Sequence, residues 1–321
     1  NQIRKSVSAS TGIMVCVKAD AYGHGLVQVS KKLQSAGVNY LGVASIDEGI
    51  VLRQAGIGLP ILILGLIFKE HAEALFKYSL AATVCDAQSA GALNNKARLL
   101  GKVLNVHIKV DTGMGRIGVP HDNAAELIKK ILRFKSLNIE GLFTHFAFAD
   151  MNKGFTLHQL DLFNRLLNNL DKQSIRIPII HSANSMGVIG YKNSHFNMVR
   201  PGLVVYGLYP RDGLKIKLKP VLSLKTKVVF VKKLPAGYGV SYGHAYVTKK
   251  ETNIVTLPIG YGDGYPRNLS NQAPVLIKGE RFKVCGRICM DQMMADVGGL
   301  NPKIGDEVVL IGSQGKNRIT S

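Results

Sequence analysis

Apolar runs and helical patterns alternate from residue 13 to about residue 202. Eight short runs rich in Val, Ile and Leu are predicted as strands, at residues 13–18, 40–45, 61–65, 81–85, 103–110, 140–146, 177–181 and 197–200. Between them, helical spacing of apolar positions is found at residues 26–36, 46–55, 70–78, 87–98, 122–134 and 156–170. This order predicts an α/β fold, a (β/α)₈ TIM-type barrel. A doubly wound sheet is the alternative, but eight strands without polar alternation favour the barrel.

Candidate start and stop signals border several of these helices. Asp47, Asp86 and Asp122 stand where helix N-caps are expected. Gly37 and Gly56 stand where helices are expected to end, because glycine readily adopts the left-handed conformation found after a helix.

The pattern changes after about residue 212. Segments rich in Val, Ile, Leu and Thr are separated by Gly, Pro, Asn and Asp, at residues 220–231, 252–258, 273–277, 281–289, 293–297 and 306–311. Helical periodicity is absent there, which is typical of a domain of short β-strands. We therefore predict a barrel domain at residues 1–212 and a C-terminal, mostly-β domain at residues 213–321. The second domain is expected to be truncated, and the missing initiator Met suggests that the N-terminus has been cut.

Composition excludes several classes of protein. The 321 residues are 46% apolar and 19% charged, as in globular enzymes, and no apolar run reaches the ~20 residues of a membrane span. A net charge of +20 comes from dispersed lysines, without Trp or basic–aromatic interleaving, so we interpret it as solvated surface rather than a nucleic-acid site. Four scattered cysteines predict no disulfide framework and no metal site, and their pattern indicates a cytoplasmic protein.

Lys18 ends the first predicted strand, and it lies within the segment Val15-Cys16-Val17-Lys18-Ala19-Asp20-Ala21-Tyr22-Gly23-His24-Gly25. A lysine at the mouth of a buried core can form a Schiff base with an aldehyde. The alternative is a lysine that extends from the strand end to water. In a barrel, catalytic groups lie at the ends of strands, so the residues that follow the other strands help to decide whether Lys18 is reactive or merely solvent-exposed.

Polar residues follow the later strands. Ser185 follows the seventh strand and Arg200-Pro201-Gly202 follows the eighth, the two positions where barrels bind phosphate. An ordinary turn is the alternative for each segment. Together with Lys18, however, a phosphate site matches what pyridoxal 5′-phosphate requires.

Other motifs are ambiguous by themselves. The segment from Lys109 to Arg116 combines glycines with a terminal arginine but lacks the spacing of a dinucleotide fingerprint, so a structural turn is the simpler interpretation. Tyr242 and Tyr261 lie in glycine-rich segments of the β domain, where a tyrosine can cap a strand or act in acid–base chemistry. His24, His107 and His158 are interpreted as packing or surface residues.

Seven segments taken together resemble alanine racemase, a pyridoxal-phosphate-dependent family with a barrel and a β domain. They occur in the family's order over residues 13 to about 312, namely 17–25, 107–116, 144–147, 181–185, 198–202, 240–243 and 286–292. The resemblance implies interconversion of L- and D-alanine, which supplies D-alanine for peptidoglycan. The alternative is a racemase of the same fold acting on serine, lysine or arginine.

The resemblance also implies a role for individual residues. Lys18 and Tyr242 would be catalytic bases on opposite faces of the α-carbon. Arg116 and Met290 would contact the substrate, and Lys109 corresponds to a lysine that is often carbamylated. The cofactor would be bound by Lys18, Tyr22, His145, Asn184, Ser185, Arg200, Gly202 and Leu203, with His181 behind Arg200.

Two further implications concern assembly and access. Tyr242 and Met290 would come from the second subunit of a homodimer with shared active sites. The entrance would be lined by Asp150, Tyr261, Arg267 and Arg287. An ornithine- or diaminopimelate-type decarboxylase is disfavoured because Arg200 occupies the place of its acidic residue, and a barrel-only cofactor carrier would lack the β domain.

Overall fold

The computed structural model describes residues 2–320, which form two compact units. The first unit ends at Pro220 and the second begins at Val221. Within the described residues, no helix is long and apolar enough to cross a membrane.

The first unit is a closed barrel of parallel strands, as the sequence predicted. Its strands are β1 (Gly12–Cys16), β2 (Tyr40–Val43), β3 (Ile61–Ile63), β4 (Ala81–Val84), β5 (Leu104–Asp111), β6 (Val119–Pro120), β7 (Leu137–Phe143), β8 (Ile179–His181) and β9 (Met198–Val199). Pairing runs β1-β2-β3-β4-β5-β7-β8-β9 and closes from β9 to β1, all in parallel. Strand β6 adds a short parallel pairing to β5 outside this ring.

Helices cover the barrel. The α-helices are α1 (Gln2–Ser6), α2 (Leu26–Ser35), α3 (Ile46–Gln54), α4 (Ala72–Lys77), α5 (Ala87–Leu99), α6 (Ala124–Leu132), α7 (Lys153–Lys172) and α8 (Ser185–Gly190). Single 3₁₀ turns occur at Lys69–His71, His121–Asn123, Lys192–Ser194 and Leu203–Tyr206. Helix α6 shows why apolar spacing predicted these helices. Its buried residues recur with the 3–4 residue spacing of one helix face, namely Ala124, Leu127, Ile128 and Ile131.

The predicted helix ends were confirmed in part. Gly37 and Gly56 follow α2 and α3 with φ of 75° and 81°. Asp86 caps α5 by accepting a hydrogen bond from the Ser89 amide at 2.7 Å. The predictions for Asp47 and Asp122 were wrong. The N-caps there are Ser45 and Asn123; Asp47 lies in the first turn of α3 and Asp122 lies in the preceding 3₁₀ turn.

Two apolar layers hold the barrel together. Along the first strands, neighbouring residues alternate between a cluster containing Met14, Tyr40 and Leu62 and a larger one containing Val15 and Leu41. Since successive strand residues face opposite sides, the first cluster fills the barrel and the second packs against the helices. This is why the strands are buried on both faces and read as continuous apolar runs.

The second unit is built from antiparallel strands, in agreement with the predicted β domain. They are β10 (Leu224–Lys227), β11 (Phe230–Leu234), β12 (Gly239–Val240), β13 (Tyr246–Val247), β14 (Thr252–Leu257), β15 (Pro274–Ile277), β16 (Glu280–Cys285), β17 (Met293–Asp296), β18 (Glu307–Gln314) and β19 (Asn317–Ile319). The main sheet has the order β10-β18-β15-β16-β17-β14-β11, with β19 paired to β18 and β12 paired to β13. Turns of 3₁₀ type occur at Tyr242–His244, Tyr261–Asp263 and Arg267–Leu269.

Candidate active site

A cavity of about 580 Å³ opens at the carboxyl-terminal ends of the barrel strands. Most of the predicted barrel site residues line it, namely Lys18, Tyr22, Lys109, Arg116, His145, Asp150, Asn184, Ser185, Arg200, Gly202 and Leu203. Four of these side chains are cationic and only Asp150 is acidic, so the cavity favours an anionic ligand. Barrel enzymes place their active sites at this end.

Lys18 lies half-buried at the cavity, directly before an unusual turn. Residues Ala19–Tyr22 all have φ between 53° and 57°, which makes one turn of left-handed helix without glycine. Such a conformation costs free energy for each residue with a Cβ, so the surroundings must stabilise it. The Asp20 carboxylate accepts a hydrogen bond from the Leu26 amide at 2.7 Å, and Glu48 accepts one from the Ala19 amide at 2.5 Å.

The left-handed turn positions Tyr22 against the segment that follows β9. A Cβ on Gly202 would lie 2.6 Å from Tyr22 Oη, so a larger residue at this position would force the tyrosine hydroxyl to move. Ser185 Oγ accepts hydrogen bonds from the Gly202 amide at 3.0 Å and, more weakly, from the Val204 amide at 3.5 Å. The Ser185 hydroxyl, the Tyr22 phenol and the backbone of Gly202 therefore lie close together, next to Leu203. The Asn184 side chain accepts a hydrogen bond from the Gly187 amide and caps α8.

Arg200 is buried at the base of the cavity, and its donors are largely taken up by the barrel. Nη2 donates to the carbonyls of Thr144 at 2.6 Å and Ser182 at 3.1 Å, and Nη1 lies 2.8 Å from His181 Nδ1. Burial lowers the pKa of Arg200 to about 10, which still leaves the guanidinium charged at neutral pH. His145 Nδ1 lies 3.5 Å from Nη2, and burial followed by the charge of Arg200 holds the pKa of His145 well below its usual range.

Lys109 is a buried lysine on β5 among other cations. Burial, then the charges of Arg200 and Arg116, lower the pKa of its ammonium to about 8. Its Nζ lies 5.5 Å from the centre of the Phe143 ring. At the end of β5, the Asp111 carboxylate accepts hydrogen bonds from the amides of residues 113, 114 and 115 at 2.8–2.9 Å and so folds the loop that carries Arg116.

The predicted site residues of the second unit form a group of their own. Ser241 Oγ donates to the Arg287 carbonyl at 2.7 Å, and the amides of Tyr261 and Gly262 donate to the carbonyls of Cys289 and Met290 at 3.0 and 2.7 Å. The segments that carry Tyr242, Tyr261, Arg287 and Met290 therefore meet at one place, with Arg267 5.9 Å from the ring of Tyr261. Tyr242 and Met290 are 67% and 62% exposed within the chain.

One buried histidine was not recognised from the sequence as part of the site. His107, interpreted as a packing or surface residue, is completely buried, and its Nδ1 lies 2.9 Å from His181 Nε2. His107 and His181 each begin one of the matching segments, but neither segment shows that the two side chains touch, because they are 74 positions apart and lie on different strands. A histidine flanked by apolar residues within a predicted barrel strand was the signal available.

Comparison with known proteins gives a consistent result. Residues 1–210 match the family model "Alanine racemase, N-terminal domain", and residues 221–321 match "Alanine racemase, C-terminal domain". A curated alanine racemase from Halothermothrix orenii is 48% identical over 325 aligned residues, which cover 100% of this chain and 86% of that protein. One from Carboxydothermus hydrogenoformans is 44% identical, with coverage of 99% and 87%.

Solved structures agree with this match. The alanine racemase of Clostridium difficile 630 superposes with a TM-score of 0.93 at 40% identity, covering 98% of this chain and 84% of that one. The alanine racemase of Bacillus anthracis, solved with bound L-Ala-P, has a TM-score of 0.91 at 36% identity, with coverage of 99% and 83%.

Proposed function

The chain belongs to the alanine racemase family, and we propose that it interconverts L-alanine and D-alanine with pyridoxal 5′-phosphate as cofactor. The observation that carries this proposal is the placement of Lys18 in one cationic cavity with Arg200 and with the close contact of Ser185, Gly202 and Tyr22. This cofactor needs three things from a protein: a lysine that reacts with its aldehyde, a binding site for its phosphate and a partner for its pyridine nitrogen.

The residues present fit the cofactor. The phosphate would be bound by the Ser185 hydroxyl, the Tyr22 phenol and the backbone of Gly202 and Leu203, in the space that a Cβ on Gly202 would obstruct. Asn184 and His145 would line the cofactor, because both border the same cavity. When bound, the cofactor withdraws electrons from the substrate α-carbon and so allows its hydrogen to leave as a proton.

The protein would then move that proton. Lys18 acts as base on one face of the α-carbon and Tyr242 on the other, since inversion requires removal from one side and return to the opposite side. Arg116 binds the substrate carboxylate, and Met290 narrows the space around the side chain. Arg200 would face the pyridine nitrogen and, being charged at neutral pH, would donate to that nitrogen without yielding its proton.

A homodimer would complete each site. The exposed side chains of Tyr242 and Met290 would enter the cavity of the partner subunit, where Asp150 of the barrel and Tyr261, Arg267 and Arg287 of the second unit would line the entrance. Arginines at an entrance attract an amino-acid carboxylate. We also propose a cytoplasmic location and a role in supplying D-alanine for peptidoglycan.

A coupled assay that detects D-alanine formed from L-alanine tests the proposed activity. L-serine, L-lysine and L-arginine are measured in parallel, because the alternative of a broad-specificity racemase predicts comparable kcat/KM on one of them. Release of CO₂ without D-alanine would indicate a decarboxylase and would contradict the proposal.

Replacing Gly202 with alanine is expected to weaken cofactor binding at least about tenfold, a loss of about 1.4 kcal/mol. The added Cβ would lie 2.6 Å from Tyr22 Oη and would displace this hydroxyl from the proposed phosphate-binding site. Cofactor titration followed by protein fluorescence measures the affinity. Gly58→Ala is the matched control, because its Cβ would meet only Gln34 Oε1 at 3.9 Å. Equal affinities in the two variants would contradict the assignment.

Lys109 is expected to carry a carbamate. The ammonium first loses one proton; the neutral amine then attacks CO₂ through its nitrogen and loses a second proton, so that a cation becomes an anion beside Arg116. With a pKa of about 8, the amine is half unprotonated near pH 8, so at fixed dissolved CO₂ the modified fraction rises as pH increases through this value.

Carbon-13 NMR with labelled CO₂ measures this modification. A carbamate signal is expected in the protein without substitutions and in the control Lys129→Met, which removes an exposed lysine. The signal should disappear in Lys109→Met. A signal that survives Lys109→Met would assign the carbamate to another lysine.

A further inference from the structure

A chain of hydrogen bonds leads from Arg200 through the barrel to its opposite mouth. Arg200 Nη1 lies 2.8 Å from His181 Nδ1, His181 Nε2 lies 2.9 Å from His107 Nδ1, and His107 Nε2 lies 3.1 Å from Glu140 Oε2. Tyr40 donates its hydroxyl to the same carboxylate oxygen at 2.8 Å. Glu140 and Tyr40 border a second cavity, of about 490 Å³, at the amino-terminal ends of the strands.

The order of donors and acceptors in this chain can be worked out from its two ends. A guanidinium can only donate, so His181 Nδ1 must be the acceptor and a neutral His181 carries its hydrogen on Nε2. That hydrogen is donated to His107 Nδ1, which leaves the hydrogen of a neutral His107 on Nε2. At the far end an ionised carboxylate can only accept, and Glu140 accepts from His107 Nε2.

The charge states agree with this order. Burial is the main cause that lowers the pKa of both His107 and His181, so both imidazoles are neutral. For Glu140, burial opposes ionisation, but the hydrogen bonds from His107 and Tyr40 outweigh it and lower the pKa of the carboxyl. One anion at the far mouth thus faces one cation at the active site across two neutral rings.

We propose that Glu140 is a positioning residue for the active site: its carboxylate accepts the last hydrogen bond of this relay and thereby holds His107, His181 and Arg200 in the orientation that the cofactor ring requires. The opposite tautomer of His107 would place a ring hydrogen against the hydrogen on His181 Nε2. Reversing both rings would instead place a hydrogen of His181 against the donor of Arg200. Neither arrangement satisfies all of these buried groups, and an unmatched buried donor is costly.

The predicted effect on catalysis rests on the proposed function, whereas the predicted tautomers of His107 and His181 rest only on their hydrogen bonds. Arg200 also donates to two backbone carbonyls, so loss of the relay would loosen its orientation without releasing it. A group facing the cofactor ring acts on the chemical step more than on substrate binding. We therefore expect an effect on kcat with little change in KM.

Two substitutions at Glu140 separate its hydrogen-bonding role from its volume. Glu140→Met removes the acceptor, whereas Glu140→Gln keeps an acceptor oxygen of similar shape. Tyr40→Phe removes only the second donor to the carboxylate. Lys102→Met is the matched control, because Lys102 lines the same cavity but is not part of the relay.

Long-range proton–nitrogen NMR of the cofactor-loaded, histidine-labelled protein reports which ring nitrogens carry hydrogen. In the unmodified protein, both His107 and His181 should be neutral and protonated on Nε2. Glu140→Met should keep these tautomers, because Arg200 still fixes them, but it should shift the proton signal of the His107 Nε2–H group upfield, because that group loses its acceptor. In Glu140→Gln, Tyr40→Phe and Lys102→Met the Nε2–H group should stay hydrogen-bonded and its signal should stay downfield. A charged ring or Nδ1 protonation in the unsubstituted protein would overturn the proposal, as would an unchanged His107 Nε2–H signal in Glu140→Met.

Kinetics provide the second readout. We expect Glu140→Met to lower kcat roughly tenfold with KM changed less than about twofold, and the other three variants to stay within about threefold of the unmodified protein. Equal losses in Glu140→Met and Lys102→Met would show a merely structural effect and would overturn the proposal. Absence of racemase activity in the unmodified protein would contradict the proposed function instead, while the tautomers would still test the relay.

Discussion

Racemisation is expected to fall by at least about a thousandfold when Lys18 is replaced by alanine, which is the largest effect we predict for a single substitution. The side chain would serve twice, as the attachment point of the cofactor and as the base on one face of the substrate. Nothing else in the described part of the cavity replaces it: Lys109 is expected to carry a carbamate, and the side chains of Arg116 and Arg200 end in guanidinium groups rather than amines.

Two measurements separate these roles from simple unfolding. Borohydride reduction followed by peptide mass analysis should attach the cofactor to the peptide containing Lys18, and this adduct should be absent in Lys18→Ala. Added methylamine should restore part of the activity, because it supplies a free base of suitable size.

An exposed lysine provides the control for this experiment. Lys31→Ala on helix α2 should keep full activity and the same adduct, since Lys31 does not line the cavity. Full activity of Lys18→Ala without added amine would refute the proposed mechanism.

Mixing two inactive variants is expected to restore activity if active sites are shared between subunits. Lys18→Ala and Tyr242→Phe should each lack one of the two bases, and each should lose activity on its own. In a mixed dimer, one site would contain both defects and the other neither. Random reassociation makes about half of the dimers mixed, so about a quarter of the original activity should return.

The matched control pairs two variants of the barrel itself. Lys18→Ala mixed with Arg116→Ala should show no gain over the average of the separate proteins, because both residues would come from the same subunit and every site would keep one defect. If Tyr242 acted on Lys18 of its own chain, the first mixture would also stay inactive, and the shared-site proposal would be wrong.

Hydrogen exchange gives an independent readout for Tyr242. In Tyr242→Phe, the base on one face remains, so exchange of the α-hydrogen in D₂O should persist for one enantiomer of alanine and slow greatly for the other. Equal slowing for both enantiomers would indicate that Tyr242 does not act as the second base.

Local sequence was sufficient for much of the barrel. Each predicted strand appears within a few residues of its expected place, because strands buried on both faces must be continuously apolar. Gly37 and Gly56 end their helices for an equally local reason, since a glycine accepts positive φ at no steric cost. Lys18 was found because a charge ending an apolar strand is visible in the sequence.

Local rules failed where distant groups decide the conformation. Nothing in Ala19-Asp20-Ala21-Tyr22 favours a left-handed turn, because every one of these residues pays a steric cost there. The turn is held by the Glu48 carboxylate, 29 positions from the Ala19 amide that it binds. The cap of α3 was misplaced for a related reason, since both Ser45 and Asp47 are favourable capping residues and only the backbone distinguishes them.

The sequence by itself therefore determined the order of strands and helices, the two kinds of architecture, and Lys18 at the end of the first strand. Those features depend on burial patterns and on the preferences of neighbouring residues. Only the tertiary structure decided what surrounds Lys18 and how Arg200 is held. Tyr40 and Glu140 lie 100 positions apart, and the relay they begin exists because closure of the barrel brings β2, β5, β7 and β8 around one buried space.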